Sequence, residues 1–251
     1  SAKQKLASDI NVALMNVASA QGTLFVKRAA AATGFDDVAQ AEAIFNEQGV
    51  PSYDRYLALS TRDYNGMASN LAGRQNMTDL PKEAYRRAYV GMIASFDTYK
   101  LDYANRVAAA GGAGLTIDTR DVAVNYYIPQ ATSASVGGKI NVDNRYQTVT
   151  VSSTASVAAG DAFTIAAVNA VHHITKQDTG QLKTFRVISV TNGTTMVISP
   201  PIISNQVAND ASAQYQNCVV NTKSATSAIV FLNTVTAYQN PFWQKDALEI
   251  L

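Results

Sequence analysis

The sequence predicts an α+β protein in which a β-rich module interrupts a host of helices and strands. Three observations carry that expectation. Of the 39 charged residues (20 basic, 19 acidic), 23 fall in residues 1–106 and 16 in residues 107–251. The hydrophobic period changes at the same place, from helical spacing to short runs of Val, Thr, Ile and aromatics. Gly111, Gly112 and Gly114 stand among alanines in the stretch between, as a flexible joint would.

The host reads as helical first. Leu6, Ile10, Leu14 and Val17 recur at spacings of four, four and three, one stripe of a helix. Ala7, Ala13, Ala18 and Ala20 flank the stripe, and Gly22 ends it. A second helix is expected over Asp37–Gln48, capped by Asp36 or Asp37 and stopped by Gly49 and Pro51. Arg55–Leu59 reads as a short strand. Ser60 opens a third helix, with Asp63 in the capping-box position. Pro81 suits the first turn of a fourth helix through Tyr89. Met92–Tyr99 returns to strand character.

The module that follows reads as all β. Its expected strands are Val122–Ile128, Tyr146–Ser152, Ala162–Asn169, Lys183–Val190, Thr195–Ser199 and Asn217–Asn221. Asn192-Gly193 between two of them is a hairpin signal. Six short strands with turn signals suggest a small antiparallel six-stranded β-barrel, closed or nearly so. Asn169–Gln181 and Ser204–Gln214 are polar and read as exposed loops. From Ala225 the host returns through Ile229–Leu232, with a turn at Asn240–Trp243 and a terminal strand over Asp246–Leu251. The expected division is 1–108 host, 109–224 inserted barrel and 225–251 host. The chain starts at Ser1 without an initiator Met and stops within a strand pattern, so it reads as a central fragment of a longer protein.

Composition narrows the function. With 251 residues, 47% of them hydrophobic, the chain can bury a substantial core. A net charge of +1 gives no electrostatic case for a dedicated nucleic-acid binder. No run approaches the roughly 18 apolar residues of a membrane span, so no membrane partner is expected. Cys218 is the one cysteine, which rules out an intrachain disulfide framework.

Chemistry-bearing motifs are sparse. His172-His173 is the one place for metal or acid–base chemistry, yet neighbouring residues on a strand point opposite ways and no Cys or second His cluster completes a tetrahedral set. Gly111–Gly114 lacks the Lys and Ser/Thr of a phosphate-binding loop and reads as a hinge. No Gly-x-Ser-x-Gly elbow is present. Asp36-Asp37 reads as a helix cap, Arg86-Arg87 as a solvated helix face, and Trp243 as a core anchor. Lys27-Arg28 is too short for a basic patch. No cofactor and no enzymatic activity are expected.

An ordered series of segments carries a family resemblance. Leu80-Pro-Lys-Glu-Ala-Tyr85 and Ile93-Ala-Ser-Phe-Asp97 come first. Asn141-Val-Asp-Asn-Arg-Tyr146, Thr148-Val-Thr-Val151, Gly160-Asp161 and Phe163-Thr-Ile-Ala166 follow. Then come Ala170-Val-His172, Phe185-Arg-Val187, Ile198-Ser-Pro200, Tyr215, Asn217, Val219-Val-Asn221, Phe242-Trp243 and Asp246-Ala247. In this order they resemble the coat proteins of the short-tailed Salmonella podovirus group, most closely from Asn141 onward.

The resemblance implies the tailed-phage major capsid fold, with a spine helix, an apical domain and an inserted β-barrel. It implies self-assembly into hexamers and pentamers of an icosahedral head. It further implies a scaffolding protein during assembly, a portal and packaged double-stranded DNA, in a virion built in the bacterial cytoplasm. Relatives have an N-terminal arm before, and further elements after, the region seen here. Their inserted domain carries two loops. One is similar to Thr116–Gly138 and joins neighbouring capsomers; here Asp118, Arg120 and Asp121 are the expected ion-pair residues. The other is similar to Asn169–Gln181 and bears on particle size; here His172, His173 and Lys176 are the polar candidates. The readings set against this one are an encapsulin-type shell, a free-standing β-barrel binding or adhesion module, and an enzyme using the histidine loop.

Overall fold

The computed structural model describes residues 2–28, 34–73, 80–88, 90–120, 125–206 and 213–248. The chain opens with α1 (Ala2–Gln21), α2 (Phe35–Glu47), β1 (Arg55–Ser60), α3 (Thr61–Ala72) and α4 (Leu80–Arg87). Short strands follow: β2 (Met92–Ile93), β3 (Phe96–Leu101), β4 (Arg106–Val107), β5 (Thr116–Ile117), β6 (Thr132–Ser135) and β7 (Gly138–Asn141). The main β region holds β8 (Gln147–Thr150), β9 (Ala162–Val171), β10 (Asp178–Asn192), β11 (Thr195–Ser199), β12 (Cys218–Val220) and β13 (Ser227–Phe231). β14 (Ala237–Tyr238) and β15 (Phe242–Gln244) end the series. The protein is thus mixed α+β, mostly sheet with few helices. It divides into two compact units. Unit 1 is residues 1–22, 26–108 and 236–251; unit 2 is residues 23–25 and 109–235.

Unit 1 centres on a four-stranded sheet in the order β15-β1-β3-β2, with β1 and β3 parallel. Phe45 of α2, Phe96 of β3 and Phe242 of β15 pack with centroids 5.1–6.1 Å apart. Arg55 at the start of β1 is only 1% exposed. Its guanidinium donates to the carbonyls of Pro51 (2.8 Å) and Val50 (2.7 Å), to Asn46 Oδ1 (2.8 Å) and to Ser95 Oγ (3.2 Å). It also sits 5.3 Å from the Phe45 ring and 5.9 Å from the Phe96 ring. Burial pushes its pKa down, and Glu42 pulls it partly back. Ser60 caps α3 as expected: its hydroxyl accepts from the Asp63 N–H and donates to the Asp63 carboxylate. Asn240 closes that network by bonding the Ser60 N–H and Asp63 Oδ2, each at 2.8 Å.

Two host expectations are corrected. The second helix begins at Phe35, with Gly34 as its cap; Asp37 lies inside the first turn, and its carboxylate reaches back to the Gly34 N–H. At the far end, β15 occupies Phe242–Gln244, where a turn was expected. The aromatic residues there complete the sheet against β1, with Trp243 opposite Tyr56.

Unit 2 is a curled sheet in the order β5-β13-β9-β10-β11-β8, with β12 also paired to β9. Its end strands meet at one antiparallel bridge, Ile117 to Val151, beside a bond from the Ser152 N–H to the Thr116 carbonyl at 2.9 Å. β9 organises the sheet. One of its edges pairs β10. The other is shared, with β13 opposite Phe163–Ile165 and β12 opposite Val168–Ala170. Between those halves Ala167 takes a left-handed φ of 62°, which breaks the ladder and redirects the strand. Phe163 and Phe185 stack at 5.6 Å in the core, with Phe231 6.0 Å from Phe163. Val149, Val187, Met196, Ile198 and Cys218 fill the rest.

The strand assignments change in three ways. No strand occupies Tyr126–Ile128, and 122–124 lie outside the described residues. Ser227–Phe231, expected in the host, is a strand of the curled sheet, and unit 2 runs to Val235 rather than ending at 224. Its burial alternates, with Ser227, Ile229 and Phe231 inward and Ala228 and Val230 outward, so an apolar-looking run is half-exposed pleat. Most of the expected loop Asn169–Gln181 is β9–β10 ladder, which leaves only residues 172–177 as a turn.

Replacing Arg55 with Lys keeps the charge but loses the planar fork that reaches four acceptors. It should lower stability by about 2–3 kcal/mol, read from urea unfolding of the full chain. Cys218 is buried, and that pushes its thiol up to about 12 despite the nearby Lys183. The native protein should therefore resist iodoacetamide at pH 8 and become alkylated only on unfolding.

Candidate functional site

Two ribbons of unit 2 end in exposed apolar residues, Val136 on one and Ile174 on the other. The first is the β6–β7 hairpin, paired from Thr132↔Asn141 to Ser135↔Gly138. Its turn needs left-handed backbone at Gly137 (φ 96°) and Gly138 (φ 139°), positions that glycine fills without strain. Val136 at the tip is fully exposed and Ile140 is 56% exposed. A lone two-stranded ribbon is marginal in water, so the base must hold it. Asn144 does so. Its Oδ1 accepts from the Tyr127 hydroxyl (2.7 Å) and the Gln130 N–H (3.0 Å), and its Nδ2 donates to the Gln130 carbonyl (2.8 Å).

Two turns of similar design lie before and after this ribbon in sequence, at residues 118–120 and 143–145. In one, Asp118 Oδ1 accepts from the Arg120 N–H at 2.8 Å, and Asp118 Oδ2 meets Arg120 Nη2 at 2.9 Å. In the other, Asp143 Oδ1 accepts from the Arg145 N–H at 3.0 Å, and Asp143 Oδ2 meets Arg145 Nη2 at 2.7 Å. Each Asp-x-Arg triplet folds its own arginine back onto its own carboxylate. Hydrogen bonds from Arg145 hold the Asp143 carboxyl down at about 2, and the Arg145 guanidinium also lies 5.3 Å from the Tyr146 ring.

The second ribbon is the β9–β10 tip. His172 Nδ1 accepts from the N–H groups of Ile174 and Thr175, each at 3.3 Å. The His172 carbonyl accepts from the Lys176 N–H at 2.8 Å, with Lys176 in left-handed backbone at φ 57°. The His172 and His173 rings stack at 5.7 Å and 12°. Ile174 stands 71% exposed at the tip.

These placements sort the expected residues. Asp118 and Arg120 come together, as partners of one another within one turn. Asp121 lies outside the described residues. His172, His173 and Lys176 share one tight turn. Sequence reasoning missed the Asp143–Arg145 turn and the Asn144 staple, although the Asp-x-Arg spacing repeats that of 118–120. It also missed the β6–β7 ribbon, whose signal is Gly137-Gly138 between two short runs of β-compatible residues. Among the described residues no group of three or more His, Cys, Asp or Glu is placed to hold a metal ion.

The chain belongs to the P22 coat protein family: the model described as "P22 coat protein - gene protein 5" matches residues 1–251. It is therefore a bacteriophage coat protein, a structural component of the virion capsid. A solved structure, the CUS-3 coat protein I-domain, is 38% identical to this chain, covering 48% of it and 98% of the I-domain chain, with a TM-score of 0.32.

The Asp143 carboxyl should titrate at about pH 2 by NMR. In Arg145→Gln the midpoint should rise, since the guanidinium hydrogen bonds are lost, but stay below that of a free carboxyl because the N–H of residue 145 still bonds Asp143 Oδ1.

Proposed function

We propose that copies of this chain pack side by side as hexamers and pentamers into the icosahedral head of a tailed phage that encloses double-stranded DNA. The match to the coat protein family over residues 1–251 is the observation that carries this reading. On it, unit 1 belongs to the capsid-fold host and unit 2 is the inserted barrel-like domain. A scaffolding protein directs assembly in the bacterial cytoplasm, and a portal occupies one vertex. The net charge of +1 suits a wall that contains DNA without binding it tightly.

The segment from Asp118 through the β6–β7 ribbon makes the contact between neighbouring capsomers. The tip at His172, His173 and Lys176 bears on particle size. Exposed Val136 and Ile140 supply apolar area, while the Asp118–Arg120 turn, and Asp121 beside it in sequence, supply charge. A closed shell repeats each contact by symmetry, so individually modest interfaces suffice.

The test is electron microscopy of the full-length protein expressed with its scaffold. Closed polyhedral shells are expected, and monodisperse monomers would overturn the proposal. Arg120→Glu breaks the Asp118 pair and reverses the charge presented to a neighbour. It should reduce the yield of closed particles severalfold while leaving the circular dichroism spectrum of the monomer unchanged. A normal particle yield from that variant would remove the turn from the contact.

A further inference from the structure

Residues 23–25 belong to the compact unit of the curled sheet, although the chain on both sides of them belongs to the other unit. They lie along the outward face of β10. The Thr184 hydroxyl donates to the Thr23 carbonyl at 2.6 Å. Two residues on, and so on the same face of the strand, the Arg186 guanidinium lies 5.0 Å from the Phe25 ring centroid. The same guanidinium donates through Nη1 to the Gly160 carbonyl at 2.6 Å. Between them Phe185 points inward and stacks on Phe163, which fixes the direction of its neighbours.

We propose that Thr23–Phe25 is a releasable strap, docked on β10 through Thr184 and Arg186 and able to open while the sheet beneath it stays folded. Among the described contacts that hold it closed are the Thr184 hydrogen bond and the Arg186–Phe25 cation–π contact. Against these stands the loss of water around Arg186, which is 3% exposed. Burial brings its pKa down to about 10 even with Asp161 nearby. Release of the strap returns one face of the cation to water, so the opposing terms leave a small net preference for closure. The β9–β10 ladder beneath has no such compensation on opening, because Phe163 and Phe185 would both be exposed. Arginine suits this position because its plane donates sideways while its face stacks, and a lysine ammonium cannot do both.

Hydrogen–deuterium exchange with mass spectrometry on the full chain tests the strap. In the wild type, a peptide covering Thr23–Phe25 should exchange faster than one covering Phe163–Ile165. Phe25→Leu, which keeps apolar bulk without the ring, and Thr184→Val, which removes the donor, should each speed exchange of the strap roughly tenfold. Arg186→Lys should do the same while keeping the charge. In all three variants exchange at Phe163–Ile165 should be unchanged. A wild-type strap that exchanges as slowly as Phe163–Ile165 would overturn the proposal. So would variants that leave the strap unaffected, or that accelerate strap and β9 alike.

Discussion

Taking a guanidinium out of water costs several kcal/mol unless its donors find partners, and among the described residues each compact unit takes up one such side chain, Arg55 in one and Arg186 in the other. Arg55 meets the demand with two backbone carbonyls, Asn46, Ser95 and two aromatic faces. Those acceptors lie on α2, on the loop after it and on the β2–β3 turn, so satisfying one side chain sets the positions of three segments around β1. Val50 and Pro51 cannot move outward without orphaning a buried donor. The Ala94-Ser95 turn, with both residues at positive φ, is held by the same bond that Ser95 accepts. In unit 2, Arg186 ties β10 to Gly160 and to Phe25. These contacts organise by constraint more than by net energy: a buried cation has few acceptable arrangements, so the chain around it has few as well.

A second constraint acts where the chain enters and leaves unit 2. The Ala110 N–H donates to the Asn233 carbonyl at 2.8 Å. The Asn233 side chain accepts from the Ala162 N–H and donates to Asp161 Oδ1. Asp161 in turn accepts from the Ala158 N–H through its other oxygen. Entry, exit and the start of β9 are thus joined through two buried polar side chains. The β9–β10 tip is an extension of β9, so a fixed β9 base gives that ribbon a defined direction. The β6–β7 ribbon has its own fixed base at Asn144.

The helices were legible because their signals are local. Ser60 with Asp63 marks a start whatever packs nearby, and the helical spacing of α1 marks a helix, although Leu6, Ile10 and Val17 of its stripe stand exposed and Met15 beside it is buried. The strands Thr195–Ser199 and Cys218–Val220 were legible because β-branched residues cluster there between turn residues. What escaped depends on partners far off in sequence. Whether Ile229–Phe231 belongs with Trp243 or with Phe163 cannot be read from the run itself; the pairing of Phe231 with Phe163 decides it. Phe242–Gln244 is a strand because β1 offers an open edge, and no local pattern announces that. The candidate contact residues show the same division. The family resemblance singled out the segment that holds Asp118 and Arg120, but not that the two would pair with each other. Arg55 and Arg186 look like surface arginines until the aromatic rings around them are known.

On the proposed assembly, the pairing of Asp118 with Arg120, and of Asp143 with Arg145, bears on how a shell can form without trapping errors. An unpaired surface charge that meets an opposite charge on a neighbour gains a full ion pair, and a misplaced subunit would gain nearly as much. A charge already paired within its own turn gains little, because docking exchanges one ion pair for another of similar strength. Charge of this kind can reject a like-charged mismatch while adding little to affinity. On the proposed assembly the attraction then falls to the apolar tips, Val136 and Ile140 on one ribbon and Ile174 on the other. Those gain free energy only where a neighbour's surface covers them closely. On that proposal affinity would depend on shape and selectivity on charge, with each single contact weak enough to break and re-form until symmetry closes the shell.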